Sequence, residues 1–177
     1  MLLREPGRRF EEIYQIYEEA FPEIERRTYE GQKQVLRDNR YRLRMKELEG
    51  AVQAFLGYWE LPNCIFLEHL ATTKACRGLG YGKELVLECV TDTDKPIFLE
   101  IEPIHEQKPM TARRAGFYER LNFHVNRFPY EQMPLKDGDA PLPLWVMSYG
   151  EPFSKERFLP YKTEIYHHVY GIEIIPT

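Results

Sequence analysis

Long hydrophobic runs, surplus positive charge and paired cysteines are all missing from this 177-residue chain. No stretch holds 18 apolar residues in succession, so no membrane-spanning helix is expected. The opening stretch, Met1 to Arg9, is too charged and too short in apolar length to read as a secretory signal; the odd set of cysteines makes a reduced, cytoplasmic protein the expectation. Lys and Arg number 24 against 28 Asp and Glu, a net charge of −4. A nucleic-acid partner, which needs a basic face, is therefore not expected, whereas a cationic substrate such as an amine or a lysine-bearing peptide suits the charge. The three cysteines, Cys64, Cys76 and Cys89, are odd in number and lack metal-ligand spacing, so neither a disulfide framework nor a metal site is expected. Repeats and low-complexity linkers are absent too, and a single domain is the expectation.

What is present suffices for a core: 43% of residues are hydrophobic and 14% aromatic, an ordinary globular balance. Phe10, Ile13, Tyr14, Ile16, Tyr17 and Ala20 recur at helical spacing, and Phe21-Pro22 stops that helix. A weaker helix is expected over 28–38, anchored by Val35 and Leu36. From 40 to 46, Tyr41, Leu43 and Met45 alternate with four basic residues, the pattern of a half-exposed strand with a solvated charged face. A long apolar strand follows at 51–61, with Gly57 as a candidate bulge. Further strands are expected at 64–71 and 97–102, and 123–128 with 142–149 read as a closing antiparallel pair. Cys89 falls on the buried face of a helix ending near Val90, while Cys76, beside a glycine-rich turn, is a candidate for exposure. In the tail, Thr163 to Tyr170 show helical spacing before Gly171.

The stretch that points to chemistry is Arg77-Gly78-Leu79-Gly80-Tyr81-Gly82, placed between a strand and a helix. Glycines at alternate positions let the backbone approach a ligand without interference from Cβ. The helix behind them offers unpaired N–H groups and a positive dipole end. Together these make a seat for phosphate oxygens. A Walker A loop is ruled out, because Gly82-Lys83 is followed by Glu84 and Arg77 stands where its first glycine belongs. The dinucleotide fingerprint is ruled out by a last gap one residue short. The bland alternative is a plain turn.

The R-G-x-G-x-G pattern resembles the cofactor loop of the GNAT superfamily of N-acetyltransferases, which seats the pyrophosphate of acetyl-CoA. A second segment, Arg113-Arg114-Ala115-Gly116-Phe117-Tyr118-Glu119-Arg120-Leu121-Asn122-Phe123, resembles that superfamily's later signature, A-x-x-F-Y-x-x-x-G-F. Asn122 stands in the glycine slot, which often ends a helix in the left-handed conformation that Asn tolerates. The resemblance covers about residues 41–150. It implies an α/β (α+β) single-domain fold, with a mixed, mostly antiparallel sheet flanked by helices and splayed central strands. Residues 1–150 form that domain, and 151–177 form an extension packed on it or on a partner in a homodimer.

The resemblance also implies a reaction: transfer of an acetyl group from acetyl-CoA to a primary amine, of a small molecule or a protein, by direct attack in a ternary complex without a metal. In that frame the backbone of Leu70 and Thr72 pairs with the pantetheine arm. Arg77, Gly78, Leu79, Gly80, Tyr81 and Gly82 take the diphosphate, and the Leu70 N–H faces the acetyl carbonyl. Arg77 either adds charge or is simply solvated. Tyr118 of the F-Y pair points at the cofactor sulfur and serves as general acid; periodicity alone makes it a core residue beside Phe117 and Leu121. Glu100 and Glu68 are the candidate bases, carboxylates inside apolar runs where burial raises the pKa. Leu99-Glu100 resembles the strand of ribosomal-protein acetyltransferases, and Glu68 shares a strand face with Leu70 and Thr72. Glu102 is a weaker third. The bland alternative pairs these glutamates with Arg113 or Arg114, or has them bind a cationic substrate. His69 falls on the opposite strand face and reads as structural. His105 reads as a solvated loop residue, and His167 and His168, adjacent on a helix, are expected to point apart. The rival functions are a non-catalytic CoA-binding sensor or interaction module of the same fold, and a nucleotide-binding protein using Gly82-Lys83.

Overall fold

The computed structural model describes residues 7–174. In chain order they form α1 (Arg8–Ala20), α2 (Tyr29–Val35), β1 (Tyr41–Leu48), β2 (Ala51–Glu60), β3 (Ile65–Thr72), α3 (Tyr81–Thr91), β4 (Ile97–Ile101), α4 (Pro109–Glu119), β5 (Phe123–Gln132), β6 (Leu142–Tyr149) and α5 (Lys155–Tyr170). The strands make one sheet in the order β1-β2-β3-β4-β6-β5, antiparallel at β1–β2, β4–β6 and β5–β6. The α/β fold with a mostly antiparallel sheet and flanking helices is thus the one observed. Among the described residues no helix is long and apolar enough to cross a membrane. Two compact units divide the chain.

The first unit holds the described residues up to Glu60, with Leu67–Asp94 and Leu135–Asp139. α1 buries Phe10, Ile13, Ile16 and Tyr17 on one face, and its Glu12 accepts the Val52 N–H at 2.7 Å. α2 starts at a Thr28 cap, whose hydroxyl accepts the Gly31 N–H at 3.0 Å and so satisfies one of the first-turn donors. In β1, Tyr41, Leu43 and Met45 are buried, as the alternation requires. The basic face of β1 is not left to solvent. Arg44 pairs with Asp92 and, at 3.7 Å, with Glu88, and Lys46 pairs with Glu88 and, at 3.3 Å, with Glu84. Glu84 and Glu88 of α3, with Asp92 at its C-cap, thus pair with Arg44 and Lys46, the C-terminal part of the strand's basic face. In the β1–β2 ladder Gly57 pairs in register with Leu43, and the register shift falls instead between Lys46 and Glu47. Glycine is needed at 57 because a Cβ there would lie 2.3 Å from the Tyr41 hydroxyl.

The second unit comprises Leu61–Phe66, Lys95–Pro134 and the described residues from Ala140 onward. β4 pairs with β6 in the register Glu100↔Val146. β5 and β6 form the expected closing pair, with an irregularity between Asn126 and Tyr130. Pro129 lies in that gap; it has no N–H for the ladder, which accounts for the break. α5 begins at Lys155 and runs through Pro160, so it is longer than the spacing from Thr163 suggests. Its Ser154 cap accepts the Arg157 N–H at 3.2 Å. Phe158 packs edge-on to Phe98, with centroids 5.0 Å apart, and stacks on Phe128 at 5.4 Å. Glu164 accepts from the Asn63 N–H at 2.8 Å and from its side-chain amide at 3.0 Å.

Candidate active site

In the first unit, β3 runs through a short 3-10 turn at Lys74–Cys76 into the glycine segment and α3. Gly78 and Gly80 have φ of +80° and +88°, the left-handed region where a side chain is strained. A Cβ built on either meets no heavy atom within 4 Å, so the backbone faces open space. Gly80 caps α3, and the first intrahelical bond comes from Glu84 N–H to Gly80 C=O at 3.0 Å. The N–H groups of Tyr81, Gly82 and Lys83 therefore precede any helical acceptor. Arg77, Gly78, Leu79 and Gly80 are exposed, with Leu79 at 58%, while Tyr81 and Gly82 are half-buried. These residues suit a diphosphate: close backbone approach, unpaired donors and a helix N-terminus in one place. Cys76, beside them, is buried rather than exposed, its thiol 3.3 Å from the Gln53 amide oxygen.

Along β3, Glu68, Leu70 and Thr72 alternate as the less buried residues. The Glu68 side chain itself is only 1% exposed, so the exposure at this residue is that of its main chain. Its carboxylate accepts from Arg27 at 2.6 and 2.9 Å and from the Trp59 indole at 3.1 Å. Burial alone would raise its pKa; the Arg27 guanidinium and the His69 ring outweigh that and hold it well below the usual carboxylate range. Glu68 is thus an ionised partner in a buried pair, the opposite of the raised pKa expected for a base. His69 is buried on the other face, as its alternation predicts, with Nε2 3.1 Å from the Glu25 carbonyl and its ring against Tyr17 and Phe21.

In the second unit, α4 carries Tyr118. Its ring meets Phe117 at 5.0 Å and Phe123 at 5.6 Å. Burial pushes the phenol pKa up to about 12, against a smaller opposing effect of Arg114. The chain leaves α4 through Asn122 at φ +69°, the left-handed conformation that its glycine slot implies. Glu102 pairs with Arg114 at 2.8 Å, so one of the alternative arginine pairings does occur. Glu100 has different company. Tyr130 donates to its Oε1 at 2.5 Å, and the Tyr170 hydroxyl lies 2.8 and 2.9 Å from its two oxygens. In the loop before α4, His105 Nδ1 accepts the Gln107 N–H at 3.2 Å. The His167 and His168 rings, expected to diverge, meet edge-on at 4.6 Å.

Three partners escape sequence reasoning: Arg27 for Glu68, and Tyr130 and Tyr170 for Glu100. Each lies 30 to 70 residues from its carboxylate, and no local period or motif marks it.

Comparison with known proteins bears on the family and the fold. The model of the "Acetyltransferase (GNAT) family" matches residues 10–123. A curated relative from Bacillus subtilis, "Putative acetyltransferase YjbC", is 33% identical over 86 residues, which are 48% of this chain and 44% of that protein. The match spans less than half of that relative's length. A solved structure from Bacteroides thetaiotaomicron, "Putative acetyltransferase from GNAT family", superposes with a TM-score of 0.81 at 28% identity, covering 93% of each chain. The PaiA N-acetyltransferase of Thermoplasma acidophilum, solved in complex with coenzyme A, shares the fold at a TM-score of 0.59 and 14% identity, over 84% of this chain and 97% of that one.

Proposed function

Since the chain belongs to the acetyltransferase (GNAT) family, we propose that it transfers an acetyl group from acetyl-CoA to the nitrogen of a primary amine, by direct attack while both substrates are bound. The observation that carries this reading is the glycine turn, where two left-handed glycines face open space at the start of α3. That donor-rich turn suits a diphosphate, and a thioester of coenzyme A carries one. The coenzyme A complex of the Thermoplasma structure supports the same choice.

In this reading the segment from Arg77 to Gly82 holds the diphosphate through its main-chain N–H groups, apart from that of Leu79, which bonds to the Cys76 carbonyl at 3.3 Å. The accessible main chain of β3 at Leu70 and Thr72 lies along the pantetheine arm, and the Leu70 N–H donates to the acetyl oxygen as negative charge builds on it. The thioester supplies an activated acyl group, so no enzyme nucleophile is needed. Glu100 takes the proton from the incoming ammonium. The C–N bond forms, the C–S bond breaks and the Tyr118 hydroxyl gives its proton to the leaving sulfur; the second proton of the attacking nitrogen is released to water as the amide forms, and solvent reprotonates Tyr118. Of the two candidate bases Glu100 is preferred, because the ion pair with Arg27 leaves Glu68 with little affinity for a proton. The three cysteines are unpaired thiols, in keeping with a reducing cytoplasm.

The test is turnover of acetyl-CoA with a panel of amines and lysine-bearing peptides, read by thiol release and by an acetyl mass increment on the product. Transfer to at least one amine, abolished by Glu100→Gln, is the expected result. Tight coenzyme A binding without transfer to any amine would replace this reading with a non-catalytic binding module.

A further inference from the structure

The Glu100 carboxylate is clamped by phenols from two different elements. Tyr130 reaches it from β5 and Tyr170 from the last turn of α5. Tyr130 is 4% exposed, and burial followed by the nearby Glu100 charge pushes its phenol well above the ordinary range. It therefore stays a donor at every working pH. Tyr170 is held where it is by the helix end. Gly171 turns left-handed at φ +66°, and its N–H bonds back to the His167 carbonyl at 3.1 Å. The other groups near the carboxylate are distinct in role. Val146 of β6 stands opposite Glu100 in the sheet. Glu102, just past the end of β4, is paired with Arg114 of α4. Tyr166 of α5 donates to the Glu131 carbonyl, and Lys162 sits 5.0 Å from the Tyr166 ring centroid and 6.0 Å from that of Tyr130.

We propose that Tyr170, acting with Tyr130, is a positioning residue for the proton acceptor: its phenol fixes the orientation of the Glu100 carboxylate and sets the pH at which that carboxylate becomes ionised. This rests on the reading of Glu100 as the base. It gives the C-terminal helix a task in catalysis, because residue 170 supplies a hydrogen bond to the group that handles the proton. Two donors stabilise the charged form of a carboxyl over its neutral form. Removing one makes the carboxyl easier to protonate, so the acid limb of activity moves to higher pH.

The experiment is a carbon-13 NMR titration of the Glu100 side-chain carboxyl in the full-length protein without substrates, assigned with Glu100→Gln, and run on wild type, Tyr170→Phe and Tyr166→Phe. Tyr170→Phe is expected to raise the Glu100 midpoint by about half to one pH unit. Tyr166→Phe keeps the ring and the helix but removes a hydroxyl that serves a carbonyl, and is expected to leave the midpoint in place. The acid limb of kcat/KM should move with the Tyr170→Phe midpoint. An unchanged midpoint in Tyr170→Phe, or an equal shift in Tyr166→Phe, overturns the clamp. A shifted midpoint with an unmoved acid limb and an active Glu100→Gln removes Glu100 as the base, and the positioning role falls with it.

Discussion

The guanidinium of Arg27 grips the carboxylate of Glu68 with two bonds, Nη2 to Oε1 at 2.6 Å and Nη1 to Oε2 at 2.9 Å, and the two side chains are 6% and 1% exposed. Breaking one half of such a pair strands a charge in a dry place. Glu68→Gln should lower unfolding stability near neutral pH by about 3–5 kcal/mol. Replacing both partners, as in Arg27→Met with Glu68→Leu, should recover most of it. The pH dependence has a defined sign. Glu68 titrates lower in the folded state than in the unfolded chain, where it titrates near ~4.3. The pair's contribution is therefore complete above about pH 5 and fades as the pH falls through the low folded pKa. Urea titrations across that range should show wild type and Glu68→Gln converging in acid. A gap that persists at the lowest pH would contradict the ion pair as its cause.

Tyr118→Phe removes one hydroxyl and little else. Turnover should fall by about 10²- to 10⁴-fold, the usual contribution of a positioned acid, while the calorimetric affinity for acetyl-CoA stays nearly unchanged. With the phenol pKa pushed up to about 12, the proton stays on the oxygen through neutral and mildly alkaline pH. The kcat/KM profile should then show no falling limb below about pH 10 that disappears in Tyr118→Phe. Unchanged turnover in the variant would remove Tyr118 from the chemistry.

Gly80→Val puts a β-branched residue at φ +88° and fills the open space in front of the turn. Calorimetry should find acetyl-CoA binding abolished. The strain alone is about 1–2 kcal/mol, small enough for the chain to stay folded, which circular dichroism checks. Retained affinity would mean that the diphosphate binds elsewhere.

Gly57→Ala tests packing away from the site. The new methyl would fall 2.3 Å from the hydroxyl of Tyr41, which is buried and accepts from the Gln32 amide at 3.0 Å. Overpacking of this kind costs about 1–3 kcal/mol. Ala51 of β2, half-buried at the strand's start, offers a comparison. Ala51→Gly should cost no more than the ordinary strand penalty of about 1 kcal/mol, read as a smaller shift in the urea midpoint.

Much of the fold is legible in the sequence because its signals are local. The alternation of Tyr41, Leu43 and Met45 and the helical spacing of Phe10, Ile13, Ile16 and Tyr17 each fit within a dozen residues, and both match the observed burial. The left-handed turn at Asn122 is legible for the same reason. Where local rules conflict, the reading stops short. Pro160 argues against a helix, yet α5 runs through it, because the buried aromatic contacts of Phe158 outweigh the missing backbone bond. Of the site, the glycine turn is legible because backbone conformation follows from residue type. The state of the carboxylates is not. Glu68 and Glu100 look alike in sequence, each alone in an apolar run, and differ only through partners brought in from far along the chain: a guanidinium for one, two phenols for the other.

The stitching of the two units has a consequence for how the polypeptide is made. The first draws on three separate stretches, the last of them Leu135–Asp139, and the second likewise collects its parts from both sides of that excursion. Neither can be cut out as a continuous fragment. A nascent chain on the ribosome gains its native neighbours only once synthesis has passed residue 139 for one unit and Tyr170, which reaches back to Glu100, for the other. Halving the gene should accordingly yield two insoluble products, and co-expressing the halves is the way to look for complementation.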